Sequence, residues 1–196
     1  MQGTLRKHRF GYEWMRVGFA GARFRVAAFV LFLSVVILLA FWTYVEMPPA
    51  PLRLVYFVLL YFAAVLVYLN LGVWVHEQLH CLPYRAPAYR QRTQIVYTRR
   101  YLLTLSGYYR VTGPIDYRIV RRALMGPIIL VLGWLMLALL ASMLLPGWWL
   151  PMLLMLAAIS LMDMLHDLYW LWQIRPIREK GKYWDNGSEL EVVWKA

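Results

Sequence analysis

Two histidines and a glutamate in the stretch VWVHEQLHCL have the spacing of a metal site on a helix. Positions i and i+4 of an α-helix lie on one face, so His76 and His80 can direct imidazole nitrogens at the same ion. Glu77 follows His76 by about 100°, which lets it reach a water molecule on that ion rather than the ion itself. Zinc lowers the pKa of bound water to about 7, and a neighbouring carboxylate can take and return the proton. The motif therefore predicts metal-assisted hydrolysis.

A catalytic zinc site needs a third protein ligand and an open fourth position. The last apolar segment, LAAISLMDMLHDLYWLWQI, offers Asp163, His166 and Asp167. Counting along each helix from its outer end puts His76 at a depth of about 33 Å, Asp167 at about 29 Å and Asp163 at about 22 Å. The similar depth of Asp167 and His76 favours Asp167 as the third ligand, and Asp163 remains the alternative. His166 points about 100° away from Asp167, so it is a weaker candidate.

Three further residues have candidate roles around this site. If Asp163 is not a ligand, it could accept the N–H that a metal-bound histidine usually donates. Asn70 lies seven residues before Glu77, hence on a similar face, where it could contact the substrate or an oxyanion, or hydrogen-bond a neighbouring helix. Cys81, the only cysteine, excludes an intramolecular disulfide. Because it points about 100° away from His80, we predict that it is a packing residue.

The elements that carry these residues are predicted membrane-spanning helices. The chain has 196 residues and is 62% hydrophobic, above the roughly 45–50% of a soluble domain. Four apolar windows are long enough to cross the hydrocarbon core, at residues 26–45, 54–80, 123–145 and 148–172. The predicted fold class is all-α transmembrane. We expect a four-helix polytopic membrane protein with a small strand-prone cytoplasmic segment between spans 2 and 3.

The distribution of Lys and Arg predicts the topology. The net charge of +11 is concentrated before the first span, between spans 2 and 3 and after the last span. Cytoplasmic segments are enriched in Lys and Arg, so both termini and the middle segment are predicted to face the cytoplasm, with the protein in the cell (plasma or inner) membrane. We attribute the charge to this topology and to attraction by anionic lipids of the bilayer, and predict no nucleic-acid partner.

The chain divides into three predicted regions around these spans. Residues 1–25 read as a basic amphipathic N-terminal arm at the membrane interface. Residues 26–172 form the four-span domain, whose segment 84–118 is strand-prone: we predict strands at 94–97 and 101–105, a turn at 106–107 and a return strand at 108–112. Residues 173–196 form a cytoplasmic tail in which Asn-Gly between two β-prone runs predicts a hairpin.

HEQLH closing one span, with an aspartate in MLHDLYWLW near the end of a later one, resembles intramembrane zinc metalloproteases of the site-2 protease type. The chain is most similar to the zincin peptidase family of small multispanning membrane proteins. The resemblance runs from span 2 onward and includes PIDYRIVRRALMGPIIL and the terminal YWDNGSELEVV. It implies that His76, His80 and Asp167 bind Zn²⁺ and that Glu77 activates water. The chain departs from site-2 proteases in lacking a Leu-Asp-Gly context at Asp167 and any segment long enough for a PDZ domain.

The predicted function is that of an intramembrane zinc metalloendopeptidase, which cuts a transmembrane or juxtamembrane segment of a membrane protein or peptide near the cytoplasmic face. The alternative is a zinc-binding but proteolytically inactive membrane scaffold or regulator, which would not need Glu77. A transporter is disfavoured because one polar cluster near a single face offers no path across the membrane. The strand-prone segment could pair with an extended substrate by edge-strand addition, or serve only to cover the site.

Overall fold

Four helical segments dominate the fold. The structure is a computed structural model that describes residues 4–9, 12–18, 21–85, 93–101, 104–111, 113–177, 181–185 and 189–195. The segments that are long and apolar enough to cross a membrane are Ala22–Glu46, Arg53–Arg85, Tyr117–Leu144 and Trp149–Ile177. Each overlaps one of the four predicted windows. The architecture is therefore compatible with an integral membrane protein.

Three of the four segments are divided into shorter helices or end in a 3-10 turn. The first is a single helix, α1 (Ala22–Glu46), which ends at the proline-rich sequence MPPAPL because proline cannot continue a helix. The second segment consists of α2 (Arg53–Val67), a π-helical turn (Tyr68–Gly72), α3 (Val73–Cys81) and a 3-10 turn (Leu82–Arg85). The third consists of α4 (Tyr117–Met125) and α5 (Ile128–Leu144). The fourth consists of α6 (Trp149–Ile174) and a 3-10 turn (Arg175–Ile177).

Helices α1 and α2 present apolar side chains outward along most of their length. Thr43 is the only buried residue of α1, and α2 has none. A helix that is apolar all round and unburied is suited to a lipid environment. The two helices are joined by a hydrogen bond between the Thr43 and Tyr61 hydroxyls, 2.6 Å long. Such hydroxyl pairs join helices in a membrane, where no water competes for them.

A four-stranded antiparallel sheet joins the two ends of the chain. The predicted all-α fold class is therefore only partly correct. The strand order is β1 (Thr4–Arg9), β2 (Tyr12–Val17), β6 (Leu190–Lys195) and β5 (Gly181–Asp185). In β2, Met15 and Val17 are buried while their neighbours are not. This period-two alternation specifies a strand. It was hidden by the arginines and aromatics that suggested an amphipathic arm within residues 1–25.

The predicted tail hairpin exists, whereas the hairpin of the middle segment has other strand bounds and another turn than those predicted. In the tail, β5 pairs with β6 up to Asp185 and Leu190, as the Asn-Gly sequence predicts. In the middle segment, β3 (Thr93–Tyr101) pairs with β4 (Thr104–Val111). The predicted turn at 106–107 is wrong because Ser106 and Gly107 lie inside β4, opposite Thr98 and Tyr97. A Ser-Gly pair is a turn signal only where flanking residues do not continue the ladder.

The sheet packs against the ends of the second, third and fourth of these helical segments, and together they form the main hydrophobic core. The buried members of this core come from the sheet, from α4 and α6 and from the end of span 2, and include Val17, Leu190, Val192, Ala123, Leu124, Trp170, Ile174, Cys81 and Tyr84. Cys81 is a free, buried thiol within this core, in keeping with its predicted packing role. The sheet thus caps the end of the helical bundle that carries the HExxH motif.

Leu190 is fully buried where β6 meets this core. We expect Leu190→Ala to lower the free energy of unfolding by about 2–5 kcal/mol, because the substitution loses apolar burial and leaves a cavity. The measurement is thermal unfolding of the purified full chain. Lys195→Ala, at an exposed position of the same strand, is the control and should change stability by less than about 0.5 kcal/mol. Equal effects of the two substitutions would mean that β6 does not contribute to the core.

Candidate metal centre

His76 and His80 on α3 converge with Asp167 on α6. The Nε2 atoms of the two histidines are 3.0 Å apart, and Asp167 Oδ2 lies 3.3 Å from His80 Nε2 and 3.8 Å from His76 Nε2. All three side chains are buried. Their donor atoms form a compact triangle in which every member lies within 4.8 Å of the others. Of the acids considered from the sequence, the structure thus brings Asp167 to the two histidines.

The π-helical turn before α3 sets which face of the helix meets α6. A π-helical turn holds one residue more than an α-helical turn, so it rotates everything after it by about 100°. Tyr68 and His76 are eight residues apart, so in a regular helix their side chains would point in directions about 80° apart around the helix axis. The extra residue of the π-helical turn reduces this angle to about 20°. Both therefore face α6. Gly72 makes room for this turn, since a Cβ there would lie 2.7 Å from Cδ2 of the Tyr68 ring.

A backbone carbonyl of α4 fixes the tautomer of His80. Nδ1 of His80 lies 2.8 Å from the carbonyl oxygen of Ala123. A carbonyl oxygen can only accept, so Nδ1 donates and carries the proton. Nε2, the atom that faces His76 and Asp167, is then left with its lone pair. A hydrogen bond of this kind usually orients histidines that bind metals.

The converging atoms fit a cation because they are electron-rich and short of donors. Of these atoms, Asp167 Oδ2 is buried without a hydrogen-bond partner among the described residues. Ligands about 2.0–2.2 Å from a tetrahedral ion lie roughly 3.4 Å from one another, and the three separations here run from 3.0 to 3.8 Å. Two histidines and a carboxylate suit zinc but also other divalent transition metals. The donor set therefore fits a metal ion without selecting one.

Glu77 lies next to this triangle in sequence but is not a member of it. The residue is only 8% exposed, and Oε2 has no hydrogen-bond partner in the part of the chain that the structure describes. A buried carboxylate with an unused oxygen is costly unless it meets a cation, a water molecule or a ligand. Its position beside the donors, rather than among them, suits a group that exchanges protons.

Asp163 lies one turn from Asp167 on the same face of α6 but contacts a different residue. Its Oδ2 accepts a hydrogen bond of 3.2 Å from the Tyr68 hydroxyl. Asp163 was a candidate acceptor for a histidine N–H, but Nδ1 of His80 donates to the Ala123 carbonyl instead, and Nδ1 of His76 has no hydrogen-bond partner among the described residues. The Tyr68–Asp163 pair thus forms a second polar contact between spans 2 and 4, alongside the metal donors.

His166 and Asn70 lie outside the donor triangle. The His166 ring packs edge-on against Trp170, with the ring centroids 4.4 Å apart. Asn70 is exposed, and its Nδ2 donates to the Leu66 carbonyl of its own helix at 2.8 Å. Asn70 belongs to the π-helical turn, which breaks the regular seven-residue spacing to Glu77 on which its predicted placement depended.

Gly126, which sequence reasoning missed, lets α4 approach the metal-binding helix. A Cβ at Gly126 would lie only 2.6 Å from the carbonyl oxygen of Leu79, the residue before His80. Because the clash is with backbone, α3 and α4 would have to separate. We expect Gly126→Ala to weaken metal binding about 10–100-fold, since the Ala123 carbonyl would move away from His80.

Chelator competition on the purified protein measures this effect. The matched control is Gly133→Ala, which lies on α5 with nothing within 4 Å of the added Cβ. That substitution should leave metal affinity unchanged and raise helix propensity by up to about 1 kcal/mol. Equal metal affinity in the Gly126 and Gly133 variants would show that the contact of Gly126 with α3 does not support the site.

Comparisons of the chain with protein-family models, with curated proteins and with solved structures find no match. The site is therefore interpreted from its own geometry. It consists of a buried triangle of two histidines and an aspartate at the capped end of the helical bundle. A buried glutamate lies beside it, and a backbone carbonyl orients one of the histidines.

Proposed function

We propose that the protein is an intramembrane zinc metalloendopeptidase of the site-2 protease type. It would hydrolyse a peptide bond in a transmembrane or juxtamembrane segment of a membrane protein or peptide. The observation that carries the proposal is the convergence of His76, His80 and Asp167, with the Glu77 carboxylate buried beside them. Two of these donors come from an HExxH motif and the third from a helix far along the chain, as in a hydrolytic metal site.

Each side chain has a role in this chemistry. His76 Nε2, His80 Nε2 and the Asp167 carboxylate would hold the ion. Zinc held there would lower the pKa of a bound water molecule to near neutral and would polarise the scissile carbonyl. Glu77 accepts the proton as the water oxygen bonds to the carbonyl carbon, and it then delivers that proton to the departing amine nitrogen as the C–N bond breaks. The Ala123 carbonyl keeps the His80 ring in the orientation that these roles require.

The substrate backbone must be extended before it can react, because a helix hydrogen-bonds its own peptide groups. The β3–β4 hairpin packs through β4 against α3 and the preceding π-helical turn. This position supports pairing between a hairpin edge and an unwound substrate strand next to the donors. A hairpin in the same position would also shield the site from lipid.

Both termini are proposed to lie on the cytoplasmic side of the cell (plasma or inner) membrane, together with the site. Strands β1 and β6, from the two ends of the chain, belong to one sheet and so to one side of the bundle. That sheet covers the end of the bundle where His80 and Asp167 lie. The assignment of this side to the cytoplasm rests on the distribution of Lys and Arg.

The test combines metal content with proteolysis. The purified full chain should contain about one zinc ion, since the described residues form one donor triangle, and the double variant His80→Ala/Asp167→Asn should contain none. Proteomic comparison of cells with the wild-type and Glu77→Gln proteins should reveal membrane proteins that accumulate uncut in the variant. Zinc binding without any accumulating substrate or cleavage after reconstitution would favour the inactive scaffold. Absence of bound metal would contradict both functions.

A further inference from the structure

Helix α4 has one strongly basic face. Arg118, Arg121 and Arg122 are all exposed, and their i, i+3, i+4 spacing puts them on a single face of the helix. Among the residues that the structure describes, none of the three guanidinium groups pairs with a carboxylate. The acid closest to the start of this helix, Asp116, is paired with Lys182. The charge of this face is therefore not compensated by any carboxylate in the part of the chain that the structure describes.

The position of α4 brings this basic face close to the lipid headgroups. The helix leads through a short turn into α5, whose first residues Ile128 and Ile129 are apolar and exposed. Arg122 lies six residues before Ile128, which is about 9 Å along a helix. The headgroup layer begins where the hydrocarbon core ends, and arginine side chains extend several ångströms toward it.

The opposite face of α4 supports the metal site. Val120, Ala123 and Leu124 on that face are fully buried. The Ala123 carbonyl accepts the hydrogen bond from His80 Nδ1, and the residue after the helix, Gly126, packs directly on the Leu79 carbonyl. The position of α4 relative to α3 therefore determines how the His80 ring is oriented.

We propose that the Arg118, Arg121 and Arg122 face binds the headgroups of anionic phospholipids, and that this binding holds α4 in the position in which Ala123 orients His80. Guanidinium groups match phosphate oxygens in charge and in bidentate geometry. Headgroups of the adjoining leaflet lie where these side chains can reach them, whereas an acidic protein segment would have to be recruited. The predicted consequence, which rests on the metal site of the proposed function, is tighter zinc binding in anionic membranes.

Two measurements on the purified full chain test the proposal. Native mass spectrometry in detergent with equal amounts of phosphatidylglycerol and phosphatidylcholine reports which lipid is retained. Chelator competition after reconstitution reports zinc affinity in vesicles of phosphatidylcholine alone and of an equal mixture of the two lipids. The wild type should retain phosphatidylglycerol preferentially and bind zinc more tightly in the mixed vesicles. The double variant Arg118→Gln/Arg121→Gln should bind phosphatidylglycerol about 25-fold more weakly, or about fivefold per arginine, and lose the difference in zinc affinity.

Two control variants distinguish an effect of these arginines from an effect of the net positive charge of the protein. Arg23→Gln/Arg25→Gln removes two exposed arginines at the start of α1 and should keep the lipid dependence of zinc affinity. Arg118→Lys/Arg121→Lys keeps the charge and should retain most of both effects. If the two Gln double variants behave alike, or if neither changes lipid retention, the lipid site on α4 is refuted. Loss of binding to a polyglutamate peptide with unchanged phosphatidylglycerol retention would assign the face to a protein partner and also refute it.

Failure of this inference can be told apart from failure of the proposed function. If the wild type binds zinc equally in both kinds of vesicle, the coupling is wrong while the metal site stands. If the wild type retains phosphatidylglycerol through these arginines but binds no zinc, the metal site is wrong and the coupling fails with it, while the lipid surface stands.

Discussion

Replacing Glu77 by glutamine is expected to reduce peptide-bond hydrolysis about 10²–10⁴-fold while leaving metal content unchanged. The substitution keeps the size of a residue that is only 8% exposed, so packing around it should survive. It removes the carboxylate oxygen that would exchange protons with water and with the departing amine. The residue is not a member of the donor triangle, so metal binding should not require it.

Cleavage of a reporter membrane substrate by the reconstituted enzyme, with metal content measured on the same sample, checks this expectation. Glu46→Gln is a matched control, because it makes the same chemical change at an exposed glutamate at the end of α1. That variant should cleave as the wild type does. Full cleavage by a metal-loaded Glu77→Gln protein would show that another group is the general base. Loss of metal from this variant would show that Glu77 acts as a ligand.

The parts of the fold that the sequence predicted are those encoded by local patterns. Apolar windows of helix length located all four helical segments that are long and apolar enough to cross a membrane, and the spacing of His76 and His80 placed both rings on one face. Depth counted along two helices was enough to favour Asp167 over Asp163, because rise per residue is nearly constant in helices. None of these inferences needed knowledge of how distant segments pack.

The missed features arise from long-range packing or from backbone atoms. The pairing of β2 with β6 joins residues at opposite ends of the chain, and the local sequence of neither strand indicates which strand it pairs with. The hydrogen bond that orients His80 comes from the carbonyl of Ala123, and every residue has such a carbonyl. The π-helical turn, in which the Tyr68 ring lies close to Gly72, matches no local pattern, and it changed the direction in which Asn70 points. The glycine-proline pair after α4 was visible, but its contact with Leu79 was not.

Asp167→Asn is expected to lower zinc affinity more than 100-fold, whereas Asp163→Asn should lower it by no more than about tenfold. The two aspartates lie one turn apart on the same face of α6, so each substitution is the control for the other. Asp167 Oδ2 lies 3.3 Å from His80 Nε2 and has no hydrogen-bond partner among the described residues, whereas Asp163 Oδ2 is bonded to the Tyr68 hydroxyl. An amide oxygen can accept that bond, so Asp163→Asn keeps the contact.

Elemental analysis of zinc content, followed by chelator competition, shows which of the two variants binds zinc more weakly. Tyr68→Phe adds a third measurement, because it removes the hydroxyl that donates to Asp163 without altering either aspartate. If Asp163 serves to hold α6 against α2 and α3, Tyr68→Phe and Asp163→Asn should weaken zinc binding to a similar, small extent. If Asp163 is instead the ligand, Asp163→Asn will abolish binding and Tyr68→Phe will not. That ordering would overturn the donor set from which the proposed chemistry is built, since Asp167 would then lie beside the ion without holding it.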